Sequence, residues 1–191
     1  MNLTELLTKN RSYRRYDESY TIDLTTLKEL VALTRLTASA RNLQPLRYLL
    51  VNTKENNQKV FSTLAWAGYL KDWDGPEEGE RPSAYIILLK EADYEGKYAI
   101  DEGIILQTLL LGAVEKGLGG CIIGAVNRKK MHELLHISTQ WEIADVLALG
   151  KPVEQIQLVE MENNNYQYYR DKNQVHYVPK RKLEELIISS L

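Results

Sequence analysis

The chain has 191 residues, a formal net charge of −2 and a hydrophobic content of 44%. These values predict one globular domain with enough apolar material for a core. The near-neutral charge gives no indication of a nucleic-acid or membrane partner, so any anion site requires a local cluster of Arg and Lys. The single cysteine, Cys121, excludes an intrachain disulfide.

The chain shows no sign of export or of membrane insertion. Its N-terminus lacks the apolar stretch of a signal peptide, and the apolar segments at residues 104–114 and 121–126 are too short to span a bilayer. The three His are not grouped at metal-ligand spacings. We therefore expect a soluble cytoplasmic protein without a bound metal.

The first elements in chain order have clear start signals. Asn2 and Glu5 have the spacing of a capping box, which predicts a short helix ending near Lys9. Asp23 can cap a second helix whose apolar residues recur at helical spacing. After it we expect a loop at residues 37–45, a strand at 48–51, a helix at 55–69, a surface loop at 70–82 and a buried strand at 83–89.

Residues 98–116 form the longest helical pattern, and this helix is apolar almost all round. Such a helix is either central in the core or packed against a second subunit. Gly117 and Gly119 should end it. We then expect a strand at 121–126, a helix at 128–137 capped by Asn127, and strands at 141–149 and 155–159.

The end of the chain differs in composition. Residues 162–181 are polar and rich in Tyr, without helical or alternating pattern, which suits an extended arm lying on another surface. A last helix should cover 182–190. We divide the chain into a core, 1–162, and an arm with its helix, 163–191. The irregular element order and the absence of GxGxxG disfavour a Rossmann fold.

Four elements carry residues suited to ligand binding. Each also has an ordinary structural explanation: the first can be a basic turn, the second a polar loop, the third a helix cap with a core strand, and the fourth a solvated helix end. Guanidinium groups suit bidentate phosphate binding, amides suit the edges of a planar heterocycle, and glycines allow close approach of backbone. The first two elements are Arg11, Ser12, Tyr13 and Arg14, and then Ser39, Arg41, Asn42 and Gln44. The last two are the glycine-rich strand with Cys121, Ile122, Ile123 and Gly124, and the basic pair Lys180 and Arg181.

Taken together and in this order, the four elements resemble the nitroreductase family of flavoproteins. The family typically opens with Arg-Ser-x-Arg and an aromatic residue, continues with Ser-x-x-Asn-x-Gln-Pro, and then has a long helix running into Gly-Leu-Gly. The chain departs from this pattern at Asn10, where many relatives have Arg, and at Leu46, where Trp is common. It also has no large insertion of the kind that shapes substrate pockets in relatives.

The resemblance implies an α+β fold, a three-layer α-β-α sandwich with a mostly antiparallel central sheet, and a homodimer that exchanges C-terminal arms. It also implies FMN at the subunit interface, with the motif residues as its ligands. Arg11, Ser12, Arg14, Lys180 and Arg181 would bind the phosphate, the Ser39–Gln44 loop would meet the ribityl chain or ring edges, and the 122–124 backbone would lie near N5 and O4. Electrons would pass from NADH or NADPH through flavin N5 to a nitroaromatic, quinone or similar small-molecule acceptor.

Two other functions remain open at this point. One is a flavin-binding or storage protein without turnover. The other is a zinc hydrolase, because residues 132–136 formally match the HExxH motif through His132 and His136. This second alternative is disfavoured, since the predicted helix is short and no supporting third ligand is evident.

Overall fold

The computed structural model describes residues 1–190. Helices and strands are mixed along the chain. The helices are α1 (Leu3–Lys9), α2 (Leu24–Thr34), α3 (Lys54–Phe61), α4 (Ala99–Glu115), α5 (Arg128–Leu135) and α6 (Leu183–Leu186), with a 3-10 turn at Ala40–Asn42. The strands are β1 (Tyr16–Asp17), β2 (Leu46–Val51), β3 (Ala84–Glu91), β4 (Gly119–Ile123), β5 (Trp141–Pro152), β6 (Ile156–Glu160), β7 (Tyr169–Arg170) and β8 (His176–Lys180).

The helix starts follow the capping signals in the sequence. Asn2 and Glu5 form the expected capping box at α1. Asp23 Oδ1 accepts from the Thr26 N–H at 2.6 Å, and Asn127 Oδ1 accepts from the Lys130 N–H at 3.1 Å. These three helix starts are therefore confirmed.

The central sheet has the order β1-β5-β3-β2, and β4 also pairs with β5. Every pairing in it is antiparallel. Alternate residues of β3 point to opposite faces, so Ile86 and Leu88 pack against α2 and α4, while Tyr85 and Ile87 pack with α3 and α5. The sheet thus lies between two helical layers, which confirms the expected three-layer sandwich.

The Tyr-rich segment is more ordered than its sequence predicts. β8 pairs in parallel with β6 and antiparallel with β7, so part of the expected extended arm belongs to a small sheet of its own chain. Tyr169 stacks on Tyr177 with ring centroids 5.0 Å apart. The sequence did not predict these two strands, because strand pairing with a distant segment leaves no local period in the sequence.

Two helices are shorter than predicted. The helix expected at 55–69 ends at Phe61, because the chain then turns to pair with the segment after β4, where the Ala65 N–H donates to the Ala125 carbonyl at 2.9 Å. The last helix covers only Leu183–Leu186, has no side-chain cap and buries none of its residues. Within residues 1–190, no helix is both long and apolar enough to cross a membrane.

Candidate functional site

A cleft opens beside β4, between the segment after α1, the middle of α4 and strand β8. It consists of two adjoining cavities of about 330 and 250 Å³ that share Arg14 and Ile122 as lining residues. The first cavity is lined by Asn10, Arg11, Ser12, Arg14, Gln107, Leu110, Ile122, Tyr168, His176, Val178 and Lys180. The second is lined by Arg14, Ala65, Trp66, Ala67, Gly68, Cys121, Ile122, Ile123, Gly124 and Ala125.

The segment after α1 is fixed to the sheet by its backbone. Ser12 forms a parallel bridge with Gly120 at the start of β4, and the Tyr13 N–H donates to the Gly120 carbonyl at 3.0 Å. The Arg14 N–H donates to Glu154 Oε2 at 2.9 Å. These contacts place Arg11 and Arg14 at the mouth of the cleft.

The first cavity is strongly basic. Arg11, Arg14 and Lys180 line it, and no carboxylate residue is among its lining residues in the described part of the chain. The Arg11 Nε is buried and has no hydrogen-bond partner among residues 1–190, and burial lowers the pKa of this guanidinium. Desolvated cations that lack a full set of acceptors favour an anionic ligand.

A buried carboxylate outside the cavity lining fixes the segment that carries the basic residues. The side chain of Glu154 is fully buried, and besides the Arg14 N–H it accepts from Arg170 Nη2 at 2.7 Å. His176 Nδ1 lies 3.8 Å from the same carboxylate, and burial lowers the pKa of His176 to about 4. The Arg14 guanidinium lies over the Tyr168 ring, 4.8 Å from its centroid.

Four residues at or behind the cleft belong to none of the predicted binding motifs: Glu154, Tyr168, Arg170 and His176. They lie in the segments that form β6, β7, β8 and their connections, where no local motif marks them. The long-range pairing of β8 with β6 brings them to the cleft. The only sequence signal for Glu154 was its position between two predicted strands, where a single acidic residue is common on the surface.

The second cavity has an apolar floor from β4. Ile122 remains 41% exposed although its neighbours in the strand are buried, so its side chain presents an apolar surface to the cleft. Cys121 is buried, and burial raises the pKa of its thiol. A reactive thiolate at this position is therefore disfavoured.

The Ser39–Gln44 loop lies away from the cleft of its own chain. Ser39 Oγ donates to Asp101 Oδ2 at 2.5 Å and the Ala40 N–H donates to Asp101 Oδ1 at 3.0 Å, at the start of α4. Gln107 and Leu110, which line the first cavity, are about 9–14 Å further along that helix. The side chains of Arg41, Asn42 and Gln44 are exposed, and all three residues have positive φ.

Two other predicted ligands also point elsewhere. The Tyr13 hydroxyl donates to the Lys9 carbonyl at 2.9 Å, and its ring lies against Gly119. Arg181 donates from Nη1 to Asn164 Oδ1 at 3.2 Å, whereas its neighbour Lys180 lines the first cavity. The structure therefore brings together Arg11, Ser12, Arg14, the 121–124 strand and Lys180, but not the remaining predicted residues.

The HExxH-like string does not form a metal site in the described residues. α5 ends at Leu135, and His136 follows it in a left-handed conformation with φ 52°. His132 Nδ1 lies 3.3 Å from the Ile137 carbonyl oxygen. No group of three or more His, Cys, Asp or Glu within residues 1–190 is arranged to hold a metal ion.

The family model of the nitroreductase family matches residues 7–151, about three quarters of the chain. The chain belongs to the nitroreductase family. No curated protein matches the sequence significantly. The match ends before the arm, so it covers the Arg-Ser-x-Arg segment, the Ser39–Gln44 loop and β4 but not Lys180.

Solved structures of nitroreductases share the fold. A nitroreductase family protein from Clostridium difficile has 20% identity and a TM-score of 0.66, with all of both chains covered. One from Clostridium novyi has 21% identity and a TM-score of 0.65, covering 80% of this chain and 87% of the other. A protein described as a nitroreductase from Exiguobacterium sibiricum, solved in complex with FMN, has 17% identity and a TM-score of 0.67, covering 86% and 95%.

Proposed function

We propose that the protein is an FMN-dependent oxidoreductase. With FMN bound, it would take two electrons from NADH or NADPH and deliver them to a nitroaromatic, quinone or similar small acceptor, with flavin N5 as the site of the hydride chemistry. The observation that carries this proposal is the basic cleft, where Arg11, Arg14 and Lys180 converge without a lining carboxylate in the described residues. The family membership and the FMN complex of a relative with the same fold support it.

The residues of the cleft fit the phosphate of FMN. Arg11 retains an unpartnered buried Nε and Ser12 adds a hydroxyl beside it, so charge-assisted hydrogen bonds to phosphate oxygens would complete the site. Lys180 approaches from β8 on the other side of the same cavity. The shared residue Arg14 then marks the passage from the phosphate to the second cavity.

The second cavity fits the flavin ring. The Ile122 side chain supplies an apolar surface, while Ile123 and Gly124 line the same space. The opposite wall, residues 65–68, is held to the end of β4 by the hydrogen bond between Ala65 and Ala125. A planar apolar ring with polar edges suits a site of this kind.

A second copy of the chain would complete the site. The exposed loop with Arg41, Asn42 and Gln44 has no role in its own cleft, and α4 leaves Ile100 75% exposed along the face that leads to the first cavity. We therefore propose a homodimer in which α4 packs on its counterpart and each loop reaches the other cleft. In this assembly residues 1–162 form the core and residues 163–191 form the arm, whose strands β7 and β8 stay on their own chain while the unburied helix α6 lies against the second copy.

The chain itself supplies position and charge. When bound, FMN provides the hydride chemistry. Arg11, Arg14 and Lys180 would anchor its phosphate, and Ile122 would exclude water from one side of the ring. The proton that the acceptor takes up besides the hydride can come from water, so the scheme requires no acidic side chain, and the buried Cys121 with its raised pKa is not needed as one.

The absorption spectrum of the purified protein tests this proposal. We expect a flavin spectrum that bleaches on anaerobic addition of NADH or NADPH, and chromatography of the released chromophore should identify FMN. A bound flavin that neither nucleotide bleaches would instead favour a flavin-binding protein without turnover. FAD, or no flavin after reconstitution, would refute the cofactor assignment.

A further inference from the structure

Another cavity lies on a different part of the molecule. It has a volume of about 380 Å³ and sits where β2 ends, β3 begins and α3 starts. It shares no lining residue with the cleft, and β5 separates β3 from β4 in the sheet. No residue of α4 or of the 163–191 segment lines it, so the proposed dimer leaves it open.

Three buried polar atoms around this cavity lack hydrogen bonds. Within residues 1–190, no partner exists for the Tyr85 hydroxyl, for Arg81 Nε or for Asn57 Oδ1. Buried polar atoms oppose folding unless they are paired, and most proteins contain only a few unpaired ones. All three atoms belong to residues that line this cavity, which indicates a ligand that supplies the missing partners.

The chemistry of the three atoms defines that ligand. Burial and the nearby Glu18 raise the pKa of Tyr85, so its hydroxyl is a donor at neutral pH. The Arg81 Nε is also a donor. Asn57 Nδ2 donates to the Ser83 carbonyl at 2.7 Å, which orients the amide so that Oδ1 is a free acceptor. The matching ligand carries carbonyl oxygens and an N–H group.

The walls favour a flat and uncharged molecule. The Arg81 guanidinium lies over the Phe61 ring, 4.5 Å from its centroid, and forms a planar surface. Arg81 and Lys54 are balanced by Glu18 and Glu78 among the lining residues. An anion would meet repulsion from Glu18, whose charge also raises the pKa of Tyr85.

We propose that this cavity is a second ligand site, which binds a neutral planar molecule with neighbouring carbonyl and N–H groups. Pyrimidinones such as uracil present this edge. The carbonyl oxygens accept from Tyr85 and Arg81, the N–H donates to Asn57, and the ring lies along the Arg81–Phe61 surface. The site is independent of the flavin cleft and of the proposed oxidoreductase activity.

Uracil and 1,3-dimethyluracil form a matched pair of probes, because methylation removes both N–H donors from the same ring. We expect uracil to bind the purified protein with a dissociation constant below about 1 mM in isothermal titration calorimetry. Dimethyluracil should bind at least about tenfold more weakly. Absence of uracil binding in this range, or equal binding of the two probes, would overturn the proposal.

Tyr85→Phe removes only the unpartnered hydroxyl. It should weaken uracil binding about tenfold while leaving the melting temperature unchanged or higher, since no protein hydrogen bond is lost. Tyr48→Phe is the control, because its hydroxyl bonds Thr34 Oγ1 at 2.9 Å outside the cavity. It should lower stability and leave uracil affinity unchanged.

Uracil binding that survives Tyr85→Phe comes from another place, such as the flavin cleft, and would also overturn the proposal. If Tyr85→Phe does not fold, the comparison of uracil with dimethyluracil decides alone. Neither result depends on FMN binding, so this site and the oxidoreductase proposal can fail separately.

Discussion

Two polar segments of this chain are anchored in the same way and are used differently. Glu154 accepts from the backbone N–H of Arg14, and Asp101 accepts from the backbone N–H of Ala40 and the Ser39 hydroxyl. Both carboxylates are buried. Yet the segment with Arg11 and Arg14 enters its own cleft, whereas the Ser39–Gln44 loop lies on the surface with its polar side chains exposed.

The difference shows that a fixed backbone alone does not identify which cleft a segment serves. The first segment lines the cleft together with Lys180, whereas no residue of the second segment lines the cleft of its own chain. Rigid anchoring of an exposed loop with three positive-φ residues makes sense if the loop serves a second molecule. Our proposed dimer supplies that molecule.

Removal of residues 163–191 should have the largest effect on FMN binding and on dimerisation. The deletion takes away Tyr168, His176 and Lys180 from the cleft but leaves the Ser39–Gln44 loop intact. We expect loss of both FMN and the dimer, measured by absorption and light scattering. A truncated protein that remains dimeric and yellow would show that the first segment needs no help from the arm.

The anchor of the first segment can be weakened by Glu154→Gln. Arg170 then keeps a buried charge without its counter-ion, and breaking such a pair costs about 3–5 kcal/mol. We expect a loss of this order in the free energy of unfolding, measured with urea, together with weaker FMN binding. Glu160→Gln is the control, since its pair with Lys182 is exposed and should contribute less than about 1 kcal/mol.

A variant that keeps the stability of the wild type would contradict the anchoring role of Glu154. A variant that loses stability but retains full FMN affinity would separate anchoring from binding. Comparison with Asp101→Asn would then show whether the second anchor behaves in the same way.

The phosphate role of the first segment is tested by Arg14→Ala. A charge-assisted, partly desolvated hydrogen bond contributes about 1.5–3 kcal/mol, so FMN binding should weaken about 10- to 150-fold. Riboflavin, which lacks the phosphate, should bind both proteins equally in a fluorescence titration. Arg15→Ala should leave FMN affinity nearly unchanged, because Arg15 pairs with Glu80 away from the cleft.

Equal weakening of FMN and riboflavin by Arg14→Ala would mean that Arg14 acts on the flavin ring or on the fold. Unchanged affinity for both ligands would mean that the segment is an ordinary basic turn and does not bind the phosphate. Either result would mean that the first segment does not bind the phosphate in its own cleft, and the difference from the Ser39–Gln44 loop would no longer hold.

A smaller effect is expected from His176, which lies among Glu154, Arg14 and Arg170. Its pKa is lowered by burial from 6.5 to about 4, so the unfolded chain takes up its proton first. The stability associated with neutral His176 is present above pH 6.5 and is lost as the pH falls toward 4. His176→Gln should therefore reduce the pH dependence of urea unfolding in this range, and an unchanged dependence would contradict the shift.

Much of the fold was predictable from the sequence because its signals are local. Capping side chains marked three helix starts, and the apolar runs marked β3 and α4. Gly117, with φ 74°, follows the end of α4. Long-range pairing was not predictable in this way, and so the strands of the 163–180 region were missed.

In the candidate site, too, residues with local sequence signals were predictable and residues placed by long-range pairing were not. Arg11, Arg14 and Ile122 could be singled out because they belong to compact motifs. Glu154 and His176 could not, because only the pairing of β8 with β6 brings them together. Tyr13 belongs to the motif, but its side chain packs against Gly119, outside the lining of the cleft.

The central claim is that FMN lies in a cleft which two copies of the chain complete, and mixed dimers test it most directly. One copy carries Arg14→Ala and the other carries Asn42→Ala together with Gln44→Ala. In a mixed dimer one cleft then has its own wild-type Arg14 and the wild-type loop of the other copy. We predict that half of the clefts in purified mixed dimers bind FMN with wild-type affinity, although both parent dimers bind weakly. Mixed dimers in which every cleft binds as weakly as in the parents would contradict the claim.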